Sequence, residues 1–536
     1  MSAARAARTQ RTVSAVVVAL HVAVAGSALA VPLWAIASAA RTLIGGADVT
    51  LPLARWGRLL TGTAEVCGIA LGVAAAGGTL LGLLLGRSDL PGRRLLAALV
   101  ILAACVPLYV AAIFAFAWLP AAQLAGSRVA CGILYGVFYT PLAAIVLGAT
   151  FRAVDRDLEE AALLDAQPAV VLRRVTLRQA AWGFAGLALL LILLVGTDFT
   201  IPDLLFVRTF AEETHTQYIL HRQAAGPILT GMPLAIVLAV LMLVVQRRYR
   251  LLGRVAAESR WAPPRSVTLG RGRIPATLLL TAGLIVVFAP PTISLLAKIG
   301  SPERFVSRAV AFAPLLVRSI VVAGMAATIT VAVSVGLAWG LVRGGWLRWG
   351  VGSLIVLTLA LPAPVAGISL IEMFDRPGLL GRVYDSPALI VWVYLARFLA
   401  IGVLLAAAAV QRVPLELEDL ARMDGASWAL VQRVVYWPAA RGHALVAWLV
   451  VMVLCFADVG ATKFVVPPGW DTAAVVAFAA MHARVDSNLA VLALLSVVVV
   501  ALAWAGLVAV VRAAEHHEQP MASSRAPRPR SAVSSS

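Results

Sequence analysis

Long apolar runs, separated by short loops rich in arginine, set the pattern of this chain. Twelve such runs fall near 13–39, 62–86, 95–118, 129–150, 183–202, 228–246, 275–297, 315–342, 351–373, 387–410, 443–462 and 488–512. Each is long enough, or nearly so, to cross a hydrocarbon core about 30 Å thick. A spanning segment must satisfy its own backbone polar groups, so the pattern predicts helices. The first run follows Arg5, Arg8 and Arg11. It exceeds the roughly 7–15 apolar residues of a signal-peptide core and is read as a spanning helix.

The runs divide into two sets of six. The expected organisation is a first unit at 1–246, a basic linker at 247–274 carrying Pro263-Pro264, a second unit at 275–513 and a tail at 514–536. The tail, rich in Ser, Pro and Arg, reads as disordered. The fold class is therefore all-α, a polytopic membrane protein of about twelve spans.

Charge gives the orientation. Arginines gather in alternate loops: Arg87, Arg93 and Arg94; Arg152, Arg156, Arg173, Arg174 and Arg178; the linker from Arg247 to Arg273; Arg343 and Arg348; and Arg412, Arg422, Arg433 and Arg441. Cationic loops stay cytoplasmic, which places both termini inside. The remaining loops hold the acids Glu212, Glu213, Asp471 and Asp486, expected to be exposed. Composition agrees: 61% of the residues are hydrophobic and 13% charged, and the mean hydropathy is +0.93. A net charge of +18 could suggest nucleic acid. The cations, however, are scattered in short loops with no aromatic-studded basic face, so the bilayer is the expected partner and nucleic acid is not. Cys67, Cys105, Cys131 and Cys455 all lie in apolar runs and read as free buried thiols. His215 and His221 lack a third convergent ligand and read as surface residues, so no metal site or cofactor is expected.

The informative feature is a polar segment repeated after the fourth span of each half, within 151–182 and 411–442. The first contains Asp157-Leu-Glu-Glu160-Ala161-Ala162-Leu-Leu-Asp165-Ala166. The second contains Glu416-Leu-Glu418-Asp419-Leu420-Ala421-Arg-Met-Asp424-Gly425 and ends at Trp437-Pro438. An offset of 259 residues lays Asp419 on Glu160, Asp424 on Asp165 and Gly425 on Ala166. Pro107 and Pro362 correspond at 255, and Asp198 and Asp458 at 260. Each segment predicts a short acidic helix, a turn and a second helix bearing arginine. Gly425 can adopt the left-handed backbone that ends a helix; at Ala166 the following Gln167-Pro168 must set the turn differently.

At these residues the chain resembles the binding-protein-dependent ABC permeases, whose signature is Glu-Ala-Ala, three residues, Gly, then nine residues to a hydrophobic-x-Leu-Pro ending. The first copy keeps Glu160-Ala161-Ala162 but has Ala166 and Gln179 in place of the glycine and proline; the second keeps Ala421, Gly425 and Pro438 but has Asp419 and Leu420. The resemblance covers most of the chain, as two six-helix type I importer units in tandem. It is strongest to ferric-iron importer permeases, whose Asp-Phe-Gly-like stretch corresponds to Asp198-Phe199-Thr200 and Asp458-Val459-Gly460. It implies an ATP-binding subunit, as a dimer, against the two cytoplasmic segments and a solute-binding protein on the other side. ATPase coupling would then fall to Glu160, Ala161, Ala162, Asp165, Ala166, Asp419, Ala421, Asp424, Gly425 and Pro438. The chain has no phosphate-binding Gly-x4-Gly-Lys, and its lysines are Lys298 and Lys463 alone, so it is not expected to hydrolyse ATP.

Asp198, Asp458 and Arg397 lie in or near spans, where a charge costs at least about 2.5–3.5 kcal/mol on insertion scales. They are candidates for lining a translocation path, with interhelical pairing as the alternative. One rival class, the major facilitator transporters, also has twelve spans in two halves. The loop Asp89-Leu-Pro-Gly92-Arg93-Arg94 resembles its Asp-Arg-x-Gly-Arg-Arg signature, with Leu90 in place of the arginine. That class does not predict the paired polar segments. Iron is one of several solutes the resemblance allows, with polyamine, thiamine, sulfate and phosphonate as the others.

Overall fold

A computed structural model of the chain describes residues 2–45, 53–118, 124–221, 223–256, 268–483 and 485–523. In the first half the helices are α1 (Ser2–Ile44), α2 (Leu53–Arg87), α3 (Arg93–Cys105), α4 (Leu108–Trp118), α5 (Arg128–Arg152) and α6 (Arg156–Asp165). They continue as α7 (Pro168–Gln179), α8 (Ala181–Gly196), α9 (Thr200–Leu204), α10 (Phe210–His221) and α11 (Ala225–Ala256). The second half contains α12 (Arg273–Ile299), α13 (Pro302–Arg343), α14 (Leu347–Ala360), α15 (Ala363–Phe374), α16 (Leu379–Tyr384), α17 (Ala388–Gln411) and α18 (Leu415–Met423). After these come α19 (Trp428–Ala457), α20 (Thr462–Val465), α21 (Ala473–Met481) and α22 (Ser487–Ser523).

Among the described residues, nine helices are long and apolar enough to span a bilayer, and three bent pairs bring the number to twelve. The pairs α3/α4 and α14/α15 turn through 98° and 104°, and α7/α8 through 54°. The two sharp turns occur at Pro107 and Pro362. A proline disfavours helical backbone in the residue before it, and both Val106 (ψ 130°) and Leu361 (ψ 121°) are extended. Pro107 and Pro362 therefore break their spans, at matching places in the two halves.

Close helix packing relies on small residues, which let backbones approach where lipid gives no hydrophobic drive. Helices α2 and α5 are the clearest case: a Cβ on Gly78 would lie 2.5 Å from that of Ala143, and one on Gly82 would lie 2.9 Å from the Gly148 nitrogen. The first helix of each half leans on the opposite half. Helix α1 meets α17 and α15 of the second half, where Trp392 donates to the Ser27 carbonyl (3.0 Å) and Trp34 to Glu372 (3.2 Å). Helix α12 packs on α4, with Ser294 donating to the Ala117 carbonyl at 2.7 Å. Between the halves the Ala363 N–H donates to the Thr197 carbonyl (3.2 Å), and Tyr109 donates to Ser496 (2.9 Å).

Two expectations need correction. Glu212 and Glu213 are buried, not exposed, because α10 folds back into the bundle; Arg208 reaches Glu212 (3.1 Å) and Arg55 reaches Glu213 (2.5 Å). The tail expected to be disordered from 514 is helical as far as Ser523, carried on by the helix formers Ala513-Ala514-Glu515. Residues 257–267 of the linker, including Arg260, Arg265 and Pro263-Pro264, and residues 524–536 of the tail lie outside the described residues.

Candidate functional site: two keyed helices and a polar seam

Helices α6 and α18 lie on the face of the bundle where α1 begins: Ala429, just beyond α18, donates to Ser14 (3.4 Å), and His21 packs edge-on against Trp428. Helix α6 starts at Asp155, whose carboxylate caps the N–H groups of Asp157 (2.9 Å) and Leu158 (3.4 Å). In its first turn Glu159 points inward and is 3% exposed. Its carboxylate accepts from both terminal nitrogens of Arg87, at the end of α2, and from Thr176 (2.5 Å). Glu160 lies on the outer side in an exposed pair with Arg156 (2.6 Å).

The second copy repeats the plan with other partners. Glu418 is 1% exposed and accepts from Trp339 (3.0 Å), Arg422 (2.5 Å) and Tyr436. Asp419 is exposed. Glu160 and Asp419 thus face outward, and their chain neighbours Glu159 and Glu418 fix the two helices to the bundle. The sequence carried that signal: at the offset of 259, Glu159 falls on Glu418 as an identity, whereas Glu160 falls on Asp419.

The turns differ as their residues require. Gly425 is left-handed (φ 78°). Its N–H bonds the Arg422 carbonyl (2.9 Å), and that of Ala426 bonds the Ala421 carbonyl (3.0 Å), a Schellman closure. Ala166 is extended (φ −142°, ψ 152°), and Pro168 opens the next helix. Gln179, standing where proline was expected, accepts from the Asp155 N–H (3.0 Å) and ties the returning helix to the α6 cap. Pro438 sits in the first turn of the helix at Trp437–Ala457. Both returning helices contain a π segment, Leu172–Thr176 and Gln432–Tyr436, each ending at the residue that donates to the buried acid. One extra residue per turn is a recurrent feature of functional sites; here it aims Thr176 and Tyr436 inward.

The outer surface of both helices is apolar where solvent would favour polar residues. Leu164 and Met423, 259 residues apart, are 87% and 82% exposed. Leu158 and Leu417 form a second matched pair, also exposed. Asp165, Asp424 and Ala161 are exposed, whereas Ala162 and Ala421 are half-buried.

Asp198 and Asp458 occupy matching places where α8 and α19 end. Asp198 accepts from Tyr135 (2.5 Å) and from the N–H (3.0 Å) and hydroxyl (2.9 Å) of Thr200. Asp458 accepts from the N–H (3.0 Å) and hydroxyl (2.6 Å) of Thr462, and from Arg397. Each aspartate therefore caps the short helix that follows it, α9 or α20. Gly460 permits the tight passage beside Arg397, since a Cβ there would sit 2.6 Å from that of Ala363. His215, read from the sequence as a surface residue, is buried at 2% exposure and stacks on Phe199 (4.2 Å), whereas His221 is exposed. Among the described residues no group of three or more His, Cys, Asp or Glu side chains could hold a metal ion. Asp89, in the loop that suggested the rival transporter class, accepts from the Leu269 N–H (2.9 Å) and fastens the end of the linker.

The family described as the binding-protein-dependent transport system inner membrane component matches residues 78–256 and 329–522, well over half of the chain. Each match contains one keyed helix and one capped aspartate. No curated protein matches the chain. Two matches in tandem over a helical bundle with repeated landmarks show that the chain belongs to this family of ABC importer permease components.

Proposed function

We propose that this chain forms the whole transmembrane pathway of its importer, with α6 and α18 as the two coupling helices seated in a dimer of ATP-binding subunits. The observation that carries this reading is the pair of exposed apolar tips, Leu164 and Met423, on helices keyed to the bundle by Glu159 and Glu418. Contiguous exposed apolar surface marks a partner site. A keyed helix moves with the span that holds it, so closure of the ATPase dimer would be transmitted through Arg87 to α2 and through Trp339 to α13. Coupling falls to the exposed Glu160, Ala161, Asp165, Asp419, Asp424 and Gly425. Ala162, Ala166, Ala421 and Pro438 shape the turns.

In this reading the face bearing α6 and α18 is cytoplasmic, as the arginine-rich loops require. The solute-binding protein docks on the opposite face, and the path runs past Asp198, Asp458 and Arg397. The solute is ferric iron, on the resemblance of the stretches at 198–200 and 458–460 to iron-importer permeases. Co-expression with a candidate ATP-binding subunit that co-purifies with the parent chain tests coupling: Leu164→Asp with Met423→Asp should abolish its co-purification while membrane insertion is unchanged. Retained co-purification would refute the assignment. Uptake of iron, polyamine, thiamine, sulfate and phosphonate in parallel tests the solute.

A further inference from the structure

On the face opposite α6 and α18, buried charge joins the two halves. His215 on α10 and Asp203 on α9 belong to the first half; Lys463 on α20 and His482, just past α21, belong to the second. Lys463 Nζ lies 2.8 Å from His215 Nε2, and His215 Nδ1 lies 3.3 Å from Asp203 Oδ1. Asp203 Oδ2 is 2.9 Å from His482 Nε2. Phe199, Phe464 and Phe478 pack around the chain of contacts, with Lys463 Nζ 4.7 Å from the Phe478 ring centre. An ammonium can only donate, so Nε2 of His215 carries the lone pair and its proton sits on Nδ1, which lies near Asp203 without forming a hydrogen bond to it. That tautomer is neutral.

We propose that Lys463, His215, Asp203 and His482 are positioning residues that close the translocation path at this face by tying one half to the other, and that releasing Lys463 from His215 is the step that opens it. The assignment of this face as the outward one rests on the function proposed above. Asp203 and Lys463 sit on α9 and α20, the short helices that Asp198 and Asp458 cap, and apart from the coupling helices. The second half contributes both Lys463 and His482 to partners in the first, so the chain of contacts cannot survive separation of α9 and α10 from α20 and α21.

The closure is sensitive to pH because His215 cannot both be protonated and accept from Lys463. Burial lowers the pKa of His215, opposed by Asp203, so protonation falls below the ordinary histidine range. The bond to Asp203 raises that of His482. Burial disfavours ionisation of Asp203, yet its contacts with His215 and His482 hold its pKa well below the carboxylate range. The other charged neighbours are engaged elsewhere. On α10, Glu212 and Glu213 face Arg208 and, from α2, Arg55. Glu372, the one charge on α15, bonds Trp34, and α11 carries no charge before Arg247.

The test is a distance measurement in the full chain in nanodiscs, with spin labels at the exposed positions Leu220→Cys and Asn488→Cys and the four native cysteines replaced by alanine. The closed chain should give one distance at neutral pH. Lys463→Met should shift about half the molecules or more to a longer distance, and acidification to well below about pH 6.5, past the lowered range of His215, should do the same to the parent. His215→Gln, which can still accept and donate but does not titrate, should stay closed at both pH values. Distributions that superimpose for the parent, for Lys463→Met and for the acidified parent overturn the proposal, as does an acid response that His215→Gln leaves intact. Should Lys463→Met fail to fold, the acid arm and His215→Gln decide alone. The measurement needs no ATPase, so loss of coupling to a motor would refute the function proposed above without altering this result.

Discussion

Neutralising the two buried acids should have unequal effects, although they occupy equivalent positions. Glu159→Gln removes from the Arg87 guanidinium, 4% exposed, the carboxylate that both its terminal nitrogens bond. Breaking a buried pair from one side costs about 3–5 kcal/mol. Glu418→Gln leaves two neutral donors, Trp339 and Tyr436, which a glutamine oxygen can still serve. Its charged partner Arg422 is half exposed and can turn to solvent, where such a pair is worth about 1 kcal/mol or less. The expected difference is about 2 kcal/mol, close to thirtyfold in a local opening equilibrium at about 1.4 kcal/mol per factor of ten. Amide hydrogen exchange, followed by mass spectrometry over 156–165 and 415–423, reads each opening separately. Protection of α6 should fall about a hundredfold or more in Glu159→Gln, and that of α18 by less than about tenfold in Glu418→Gln. Equal losses, or a larger loss at α18, would refute the argument that Arg87 locks the first helix electrostatically. Replacing Arg87 and Glu159 together by Met and Leu should restore most of the protection, because removing both charges avoids the stranded one.

Gly425→Ala should destabilise the end of α18 by about 1–2 kcal/mol through its left-handed backbone, whereas Ala166→Gly, in an extended position, should cost under about 1 kcal/mol; exchange at the two turns distinguishes them. Gly78→Val should lower thermal stability by about 1–3 kcal/mol, because even its Cβ would intrude on Ala143, and a scanning-calorimetry midpoint indistinguishable from the parent would contradict the close approach of α2 and α5. The raised pKa of His482 means its bond to Asp203 contributes fully below about pH 6.5 and is lost as pH rises through that raised value. His482→Gln should therefore flatten the alkaline fall in thermal midpoint between about pH 6 and 9.

Much of this architecture was legible before any coordinate. Span positions follow from apolar length alone, and the repeat offset located both polar segments. The conformational freedom of Gly425 and the need for another solution at Ala166 were also readable, since both depend on local backbone sterics. What the sequence concealed depends on where a side chain points. Glu159 and Glu160 are adjacent, and only the helical phase set by the cap at Asp155 sends the first inward and the second out. His215 looked like a loop residue because a short amphipathic stretch gives no sign that it re-enters the bundle. Its partner Lys463 comes from the other half, well over two hundred residues away. Asp198 and Asp458 were located correctly as a pair, but their capping of α9 and α20 needs the turn geometry that follows each.

The crossed placement of α1 and α12 bears on how such a chain can be divided. Because each half lends its opening helix to its neighbour, the sequence boundary near the linker is not a boundary in space. A fragment holding only the first six spans would leave α1 resting on α11, stripped of α14, α15 and α17, and a gap where α12 belongs. The two fragments supplied together could complete each other without any covalent join. Continuity through the linker then matters less for shape than for guaranteeing that unlike halves, one keyed by arginine and the other by tryptophan and tyrosine, always meet as one of each.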